Sequence, residues 1–190
     1  ISTSKRAQRY LDTNAGLNAL FDRSVFLFSP QGDLIAERPF LPNRRGQNFL
    51  HREYIQKAIQ TKSPVISEPF TTTKDDHDVV LMVAVPVFKA SGELLAINTG
   101  SLGLTQPDML GNIEKTVIGN TGYLYLVTKD GKTIMAPDKK FLLQRAFPEG
   151  ENSLFERALK GFEGTELGVD VNGKSALISF KRIPSTQWIL

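Results

Sequence analysis

Arg52 and Tyr54, at the start of an amphipathic stretch, carry the clearest chemistry in the chain. An arginine presents a planar fork of donors suited to a carboxylate or phosphate, and a tyrosine an apolar ring with a donor at its tip. Phe49 and Phe70 add apolar wall. Thr72 is one of three consecutive threonines, Thr71 to Thr73, and alternation along an extended segment turns one or two of their hydroxyls to the same side. Asp78, in the run Lys74-Asp75-Asp76-His77-Asp78, is the acid placed to hold an amine, while Asn98 and Ser101 supply neutral hydrogen-bonding groups on a later apolar segment. Arg52, Tyr54, Phe49, Phe70, Thr72, Asp78, Asn98 and Ser101 are thus expected to line a pocket for one small molecule. Each has a plainer role: a surface ion pair of Arg52 with Glu53 or Glu68, core packing for the aromatic rings, a solvated turn for Asp78.

Catalysis finds no such set. His51 and His77 are the two histidines, cysteine is absent, and no Gly-x-Ser-x-Gly, Walker or His-Glu-x-x-His pattern occurs. Gly119-Asn120-Thr121-Gly122 lacks the Lys-Ser/Thr of a phosphate loop, and Asp170-Val171-Asn172-Gly173 lacks the rest of a calcium loop. The run from Lys74 to Asp78 reads as a solvated turn rather than a metal clip. No catalytic residue, metal site or cofactor is expected.

The elements that must position the pocket follow from periodicity and punctuation. Ala7, Leu11 and Ala15, widened by Tyr10, Leu17, Leu20 and Phe21, predict a helix from Ile1 to about Asp22. Val25 to Phe28, the turn Ser29-Pro30-Gln31-Gly32 and Leu34 to Ala36 predict a β-hairpin. His51 to Thr61 has Tyr54, Ile55, Ala58 and Ile59 on one helical face and stops at Ser63-Pro64. Val79 to Phe88 and Leu94 to Leu102 are long apolar strands around Ala90-Ser91-Gly92. A helix is expected over 108–117. Tyr123 to Val127, the turn at Asp130-Gly131 and Thr133 to Ala136 then repeat the first hairpin, with Gly131 standing where Gly32 stood. Ser153 to Leu159 is a short helix capped by Asn152 or Ser153. Gly164 to Val171, the Asn172-Gly173 turn, Ala176 to Ile183 and Gln187 to Leu190 supply three more strands. The order strand–strand–helix–strands therefore occurs twice, an α+β reading with two antiparallel sheets flanked by helices. The polar insertions fall in the first copy, where binding is expected.

Composition agrees. Of 190 residues, 41% are hydrophobic and 23% charged, as in a soluble globular fold. The longest apolar run, Val79 to Phe88, is too short to cross a bilayer, which needs about 20 residues. The net charge of +3 is spread among acidic residues, so nucleic-acid binding is not expected. The chain starts at Ile1 and stops in the apolar run Trp188-Ile189-Leu190, and reads as a piece of a longer protein.

Asp33-Leu34-Ile35-Ala36, Asn48-Phe49-Leu50-His51-Arg52-Glu53-Tyr54, Ser67-Glu68-Pro69-Phe70, Val85-Pro86-Val87-Phe88, Gly92-Glu93-Leu94-Leu95 and Ile118 to Val127 come in a telling order. With the Asp130-Gly131 turn, Ala136-Pro137-Asp138 and Gln187 to Leu190, they make the whole chain resemble the double Cache family of extracytoplasmic sensor domains. The resemblance implies a dimerisation helix (1–22), a membrane-distal PAS-like module with the ligand pocket (23–105) and a membrane-proximal one (106–190). It implies a periplasmic or extracellular domain of an inner-membrane receptor, homodimeric through its first helix and joined to the membrane only through flanking segments. A cytoplasmic output domain follows from it, with a diguanylate cyclase placed first, a histidine kinase next and a chemoreceptor third. The fragment itself is then no enzyme. Members that bind amino acids carry Arg, any residue, Trp, Tyr at the helix start and an Asp on a later strand. Here Arg52 is kept, Tyr54 and Ile55 take the aromatic places, and Ser101 stands where the Asp would be. A serine cannot balance an ammonium charge, and Arg44, Arg45 and Arg52 add positive charge, so an anionic ligand such as an organic acid is expected. The alternative is a structural or protein-interaction ectodomain without a small-molecule ligand.

Overall fold

The computed structural model describes residues 3–21, 23–72, 79–104 and 116–190. The chain forms two compact units, Ile1–Gly103 and Leu104–Leu190.

The first unit is a six-stranded antiparallel sheet. Its strands are β1 (Ser24–Phe28), β2 (Leu34–Arg38), β3 (Val65–Ile66), β4 (Phe70–Thr71), β5 (Val79–Phe88) and β6 (Leu94–Gly103). They run in the order β2-β1-β6-β5-β3, with β4 also on β5. β5 tolerates Pro86, which cannot donate to a ladder, because β3 pairs with β5 only at Val83 and Ala84 and leaves the far end unpaired on that side. α3 (Glu53–Thr61) lies on one face and buries Ile55 and Ala58. Its stripe packs with Phe26, Phe28, Leu34, Met82, Ala84 and Ile97 into the core of this unit.

The helix expected over the first 22 residues is broken in two. α1 (Thr3–Thr13) and α2 (Ala15–Leu20) meet at Asn14, whose side chain accepts from the Leu17 N–H and so caps the second helix. An Asn beside Gly16 competes with helix continuation in just this way. α1 docks on the sheet edge: Ser4 donates to the Ile35 carbonyl, and the Gln8 amide pairs with both the carbonyl and the N–H of Glu37. After α2 the chain turns at Phe21, which packs directly on Gly100, where a side chain would overlap its ring.

The second unit repeats the opening hairpin bond for bond. In the first, Gly32 (φ 87°) donates to Ser29, Leu34 to Gln47, and Gln47 to Arg44. In the second, Gly131 (φ 82°) donates to Thr128, Thr133 to Gln144, and Gln144 to Phe141. Both strand pairs carry the same register shift, between Leu27 and Phe28 in the first and between Leu126 and Val127 in the second. The left-handed backbone at the two turn glycines explains why glycine marks both copies. β7 (Leu126–Val127) and β8 (Thr133–Met135) form this second hairpin, followed by a short 3₁₀ turn at Lys139–Phe141. α4 (Ser153–Leu159) is capped by Asn152, whose side chain accepts from Phe155. β9 (Gly164–Val169) and β10 (Ser175–Phe180) pair across the Asn172-Gly173 turn. The strand expected at 187–190 shrinks to single bridges of Ile189 with Val127 and Arg182, which tie the end of the chain to the hairpin. Most of the helix expected over 108–117 lies outside the described residues. Among the described residues, no helix is long and apolar enough to cross a membrane.

Candidate functional site

The face of the first sheet that carries α3 holds buried polar side chains beside the core. Residues directly opposite in an antiparallel ladder point to the same side, so the register defines two rows. Ser24, Ser101 and Met82 make one; Glu37, Phe26, Thr99 and Ala84 make the other. Among the described residues, the buried polar side chains of this unit, Ser24, Glu37, Thr99 and Ser101, therefore all lie on this face. Glu37 Oε1 and Thr99 Oγ1 are buried and have no hydrogen-bond partner among the described residues. A buried polar atom left unpaired costs about 1–3 kcal/mol.

Above these rows stand the residues of the α3 start. Arg52 is the N-cap, with extended backbone and no capping bond from its side chain. Its guanidinium lies 5.8 Å from the Phe70 ring centre, and among the described residues no carboxylate pairs with it. Phe70 in turn stacks on Tyr54 at 6.5 Å and 9°. Burial pushes the Tyr54 hydroxyl above its ordinary pKa, and the nearby charges of Arg52 and Arg44 offset part of that rise. Two arginine charges from different segments thus act on one phenol.

Arg44 belongs to the loop between β2 and α3. It pairs with Glu37 at 3.2 Å; the Glu37 side chain is fully buried, and that of Arg44 is 27% exposed. Its guanidinium lies 5.3 Å from the Phe26 ring centre and 5.5 Å from that of Phe49. Arg45 turns the other way, over Phe40 and onto the Gln8 side chain. The surplus of three arginines expected from the sequence is therefore smaller. Arg45 leaves the site, and Glu37 offsets Arg44.

Of the expected pocket residues, Arg52, Tyr54, Phe49, Phe70 and Ser101 share the α3 face. Phe49 packs on Phe28 at 5.6 Å. Ser101 is buried and donates to the Ser24 carbonyl. Thr72 is half-buried just past β4, and Asp78 lies outside the described residues. Asn98 is separated from Ser101. Three residues apart on one strand, they point to opposite faces, and Asn98 shares the side of Gly100, under Phe21. Its Oδ1 is buried there without a partner among the described residues. The parity was visible in the sequence. Glu37 and Thr99 were missed; the hairpin repeat carried a signal for the first, since Ala136 holds its place in the second copy. Among the described residues, no group of three or more His, Asp or Glu side chains is placed to hold a metal.

The second unit has a cavity of its own, about 210 Å³, lined by Tyr123, Tyr125, Pro137, Asp138, Phe141, Val171 and Asn172. The Tyr125 hydroxyl bonds Thr133 at 2.8 Å, and the Tyr123 hydroxyl donates to Asp170 at 3.1 Å. Burial, together with that bond to a carboxylate, pushes the Tyr123 pKa up to about 12. Burial alone would raise the Asp170 pKa; N–H donation from Lys174 and Asn172, with the Tyr123 hydroxyl, outweighs it and holds the carboxyl below its usual range.

The sequence profile of the double Cache domain matches residues 2–190. The chain belongs to the Cache domain family. It is a sensor domain of that family, similar to the methyl-accepting chemotaxis protein McpA of Bacillus subtilis, at 26% identity over 140 residues. That match spans 73% of this chain and 19% of the relative. Among solved structures, it is similar to the ligand-binding domain of the Pseudomonas aeruginosa amino-acid chemoreceptor PctB in complex with L-Arg, at TM-score 0.73 and 21% identity, over 100% of this chain and 71% of that one. The domain of PctC from the same organism, in complex with GABA, matches at TM-score 0.71 and 23% identity, over 99% and 80%. At these identities the likeness to solved structures is one of fold.

Proposed function

We infer that this chain is the extracytoplasmic sensor of a transmembrane receptor and binds a small molecule bearing a carboxylate on the α3 face of its first unit. The observation that carries the reading is Arg52. Its guanidinium has no acidic partner among the described residues and stands beside the stacked Tyr54–Phe70 pair, above a face with buried, unpaired oxygens. A charge on a partly buried fork beside aromatic rings is poised for an anionic group. Arginine and GABA, the ligands named for the similar PctB and PctC domains, both carry a carboxylate.

The first unit is taken as the membrane-distal module and the second as the proximal one, with α1 at a homodimer interface in the full receptor. The methyl-accepting relative and the chemoreceptor neighbours support a chemoreceptor output first. That reverses the order expected from the sequence, in which a diguanylate cyclase and a histidine kinase stood ahead.

A thermal-shift screen of small carboxylates, amino acids and amines tests the reading. A ligand at 100 times its Kd should stabilise the chain by about 2.7 kcal/mol, and Arg52→Ala should abolish the shift. A hit that survives Arg52→Ala unchanged refutes the site. A screen with no hit supports the ligand-free interaction module instead.

A further inference from the structure

We propose that Arg44, presented by the buried carboxylate of Glu37, is a second carboxylate-gripping residue of the site, beside Arg52 on the α3 face. The proposal rests on the reading of the α3 face as a ligand site and adds a residue that neither sequence motif nor helix periodicity points to.

The argument starts from the hairpin repeat. The same turn, the same register shift and the same chain of loop hydrogen bonds occur in both units. Glu37 and Arg44 in the first copy correspond to Ala136 and Phe141 in the second, where Ala136 is fully buried and Phe141 half-buried. The second unit thus builds this hairpin with an apolar pair at the two places. A buried ion pair is weak evidence for stability, because desolvating the two charges offsets most of their attraction. The hairpin does not require the charges, so their presence in the first unit needs another cause.

The geometry supplies one. Glu37 is fully buried and holds Arg44 through Nη1 at 3.2 Å. The rings of Phe26 and Phe49 lie against the guanidinium, which limits its rotation. Arg44 keeps 27% of its side chain exposed, and its fork has donors beyond the one Glu37 uses. Arg44 lies over Phe49, and Arg52 lies over Phe70, which stacks on Tyr54, so the two guanidinium groups stand against aromatic rings of the same α3 face. With Glu37 counted, the net charge there is positive by one, which matches a ligand whose own charge is carried by a single carboxylate. Arg44 is the gripping residue and Glu37 the positioning residue.

Calorimetric titration of the whole chain with GABA, butyrate, L-asparagine and L-lactate, and with butyramide as a neutral control, decides it. The carboxylates that bind should lose about tenfold or more in Kd in Arg44→Gln, as expected for loss of a charge-assisted contact. Arg44→Lys should fail to restore them, since a single ammonium cannot form a fork. Glu37→Gln should weaken the same ligands by a smaller factor, and butyramide should not bind. The double variant Glu37→Ala, Arg44→Phe, which installs the pair of the second unit, should unfold at or above the wild-type temperature and bind no better than Arg44→Gln.

Unchanged binding in Arg44→Gln alongside loss in Arg52→Ala overturns the proposal and leaves the function reading standing. Unchanged binding in both variants, or no carboxylate bound by the wild type, overturns both. A double variant that does not fold shows that the pair serves the fold, and overturns the proposal as well.

Discussion

Gly100→Ala is the sharpest test of how the first unit is assembled. Gly100 sits in the middle of β6, between Thr99 and Ser101, which face the site, and its own position points to the opposite side. A Cβ built there would bring three ring carbons of Phe21 closer than 3.0 Å. Phe21 is 8% exposed, so the ring has little room to retreat. Two estimates bracket the cost. If the ring shifts within its seat, overpacking costs about 1–3 kcal/mol. If it leaves, the loss approaches the roughly 3–5 kcal/mol of removing a buried Phe. Against this, Ala in place of Gly returns up to about 1 kcal/mol through the unfolded chain. A net loss of about 2 kcal/mol should lower the melting temperature of a unit near 100 residues by roughly 8–16 °C. Thermal unfolding followed by circular dichroism reads the shift. The same substitution in a Phe21→Ala background should be neutral or mildly stabilising, because the methyl then enters a vacated space. A coupling energy near zero in that double-mutant cycle, or a Gly100→Ala variant as stable as the parent, refutes the seating of Phe21 on Gly100.

Two further outcomes follow from particular contacts. Gln8→Ala should cost about 1 kcal/mol and speed hydrogen exchange of the Glu37 amide, which donates to the Gln8 side chain, while leaving ligand affinity intact; an unchanged exchange rate at Glu37 would show that α1 is not held to β2 by this residue. Tyr123 has its folded pKa raised from 10.0 to about 12, so its contribution to stability is complete below pH 10 and is lost as pH rises through 12. Melting temperature against pH should fall across that window, and Tyr123→Phe should flatten the fall; identical profiles for the two proteins would sink the assignment.

Much of the scaffold was legible along the chain because it depends on near neighbours. Glycine at the left-handed position of each hairpin, Asn152 ahead of α4 and the apolar stripe of α3 are local effects, set by backbone sterics, capping and helical period. Arg52 could be placed at a helix start for the same reason. The break at Asn14 was legible too, since an Asn followed by Gly16 is a local signal, but the apolar stripe running through it argued for continuity.

What lay beyond the sequence depends on which strands meet. Glu37, Phe26 and Thr99 come from three strands and share a row only because β1 sits between β2 and β6. No spacing within one segment encodes that neighbourhood. The divergence of Arg44 and Arg45 is decided likewise, by a buried carboxylate on one side and the Gln8 side chain of α1 on the other. The sequence by itself therefore determined the turns, the caps and the segment that carries Arg52. The tertiary structure alone decided which face holds Glu37 and Thr99 and which arginine pairs with Glu37, because side-chain direction in a sheet is set by register between strands that are distant in the chain.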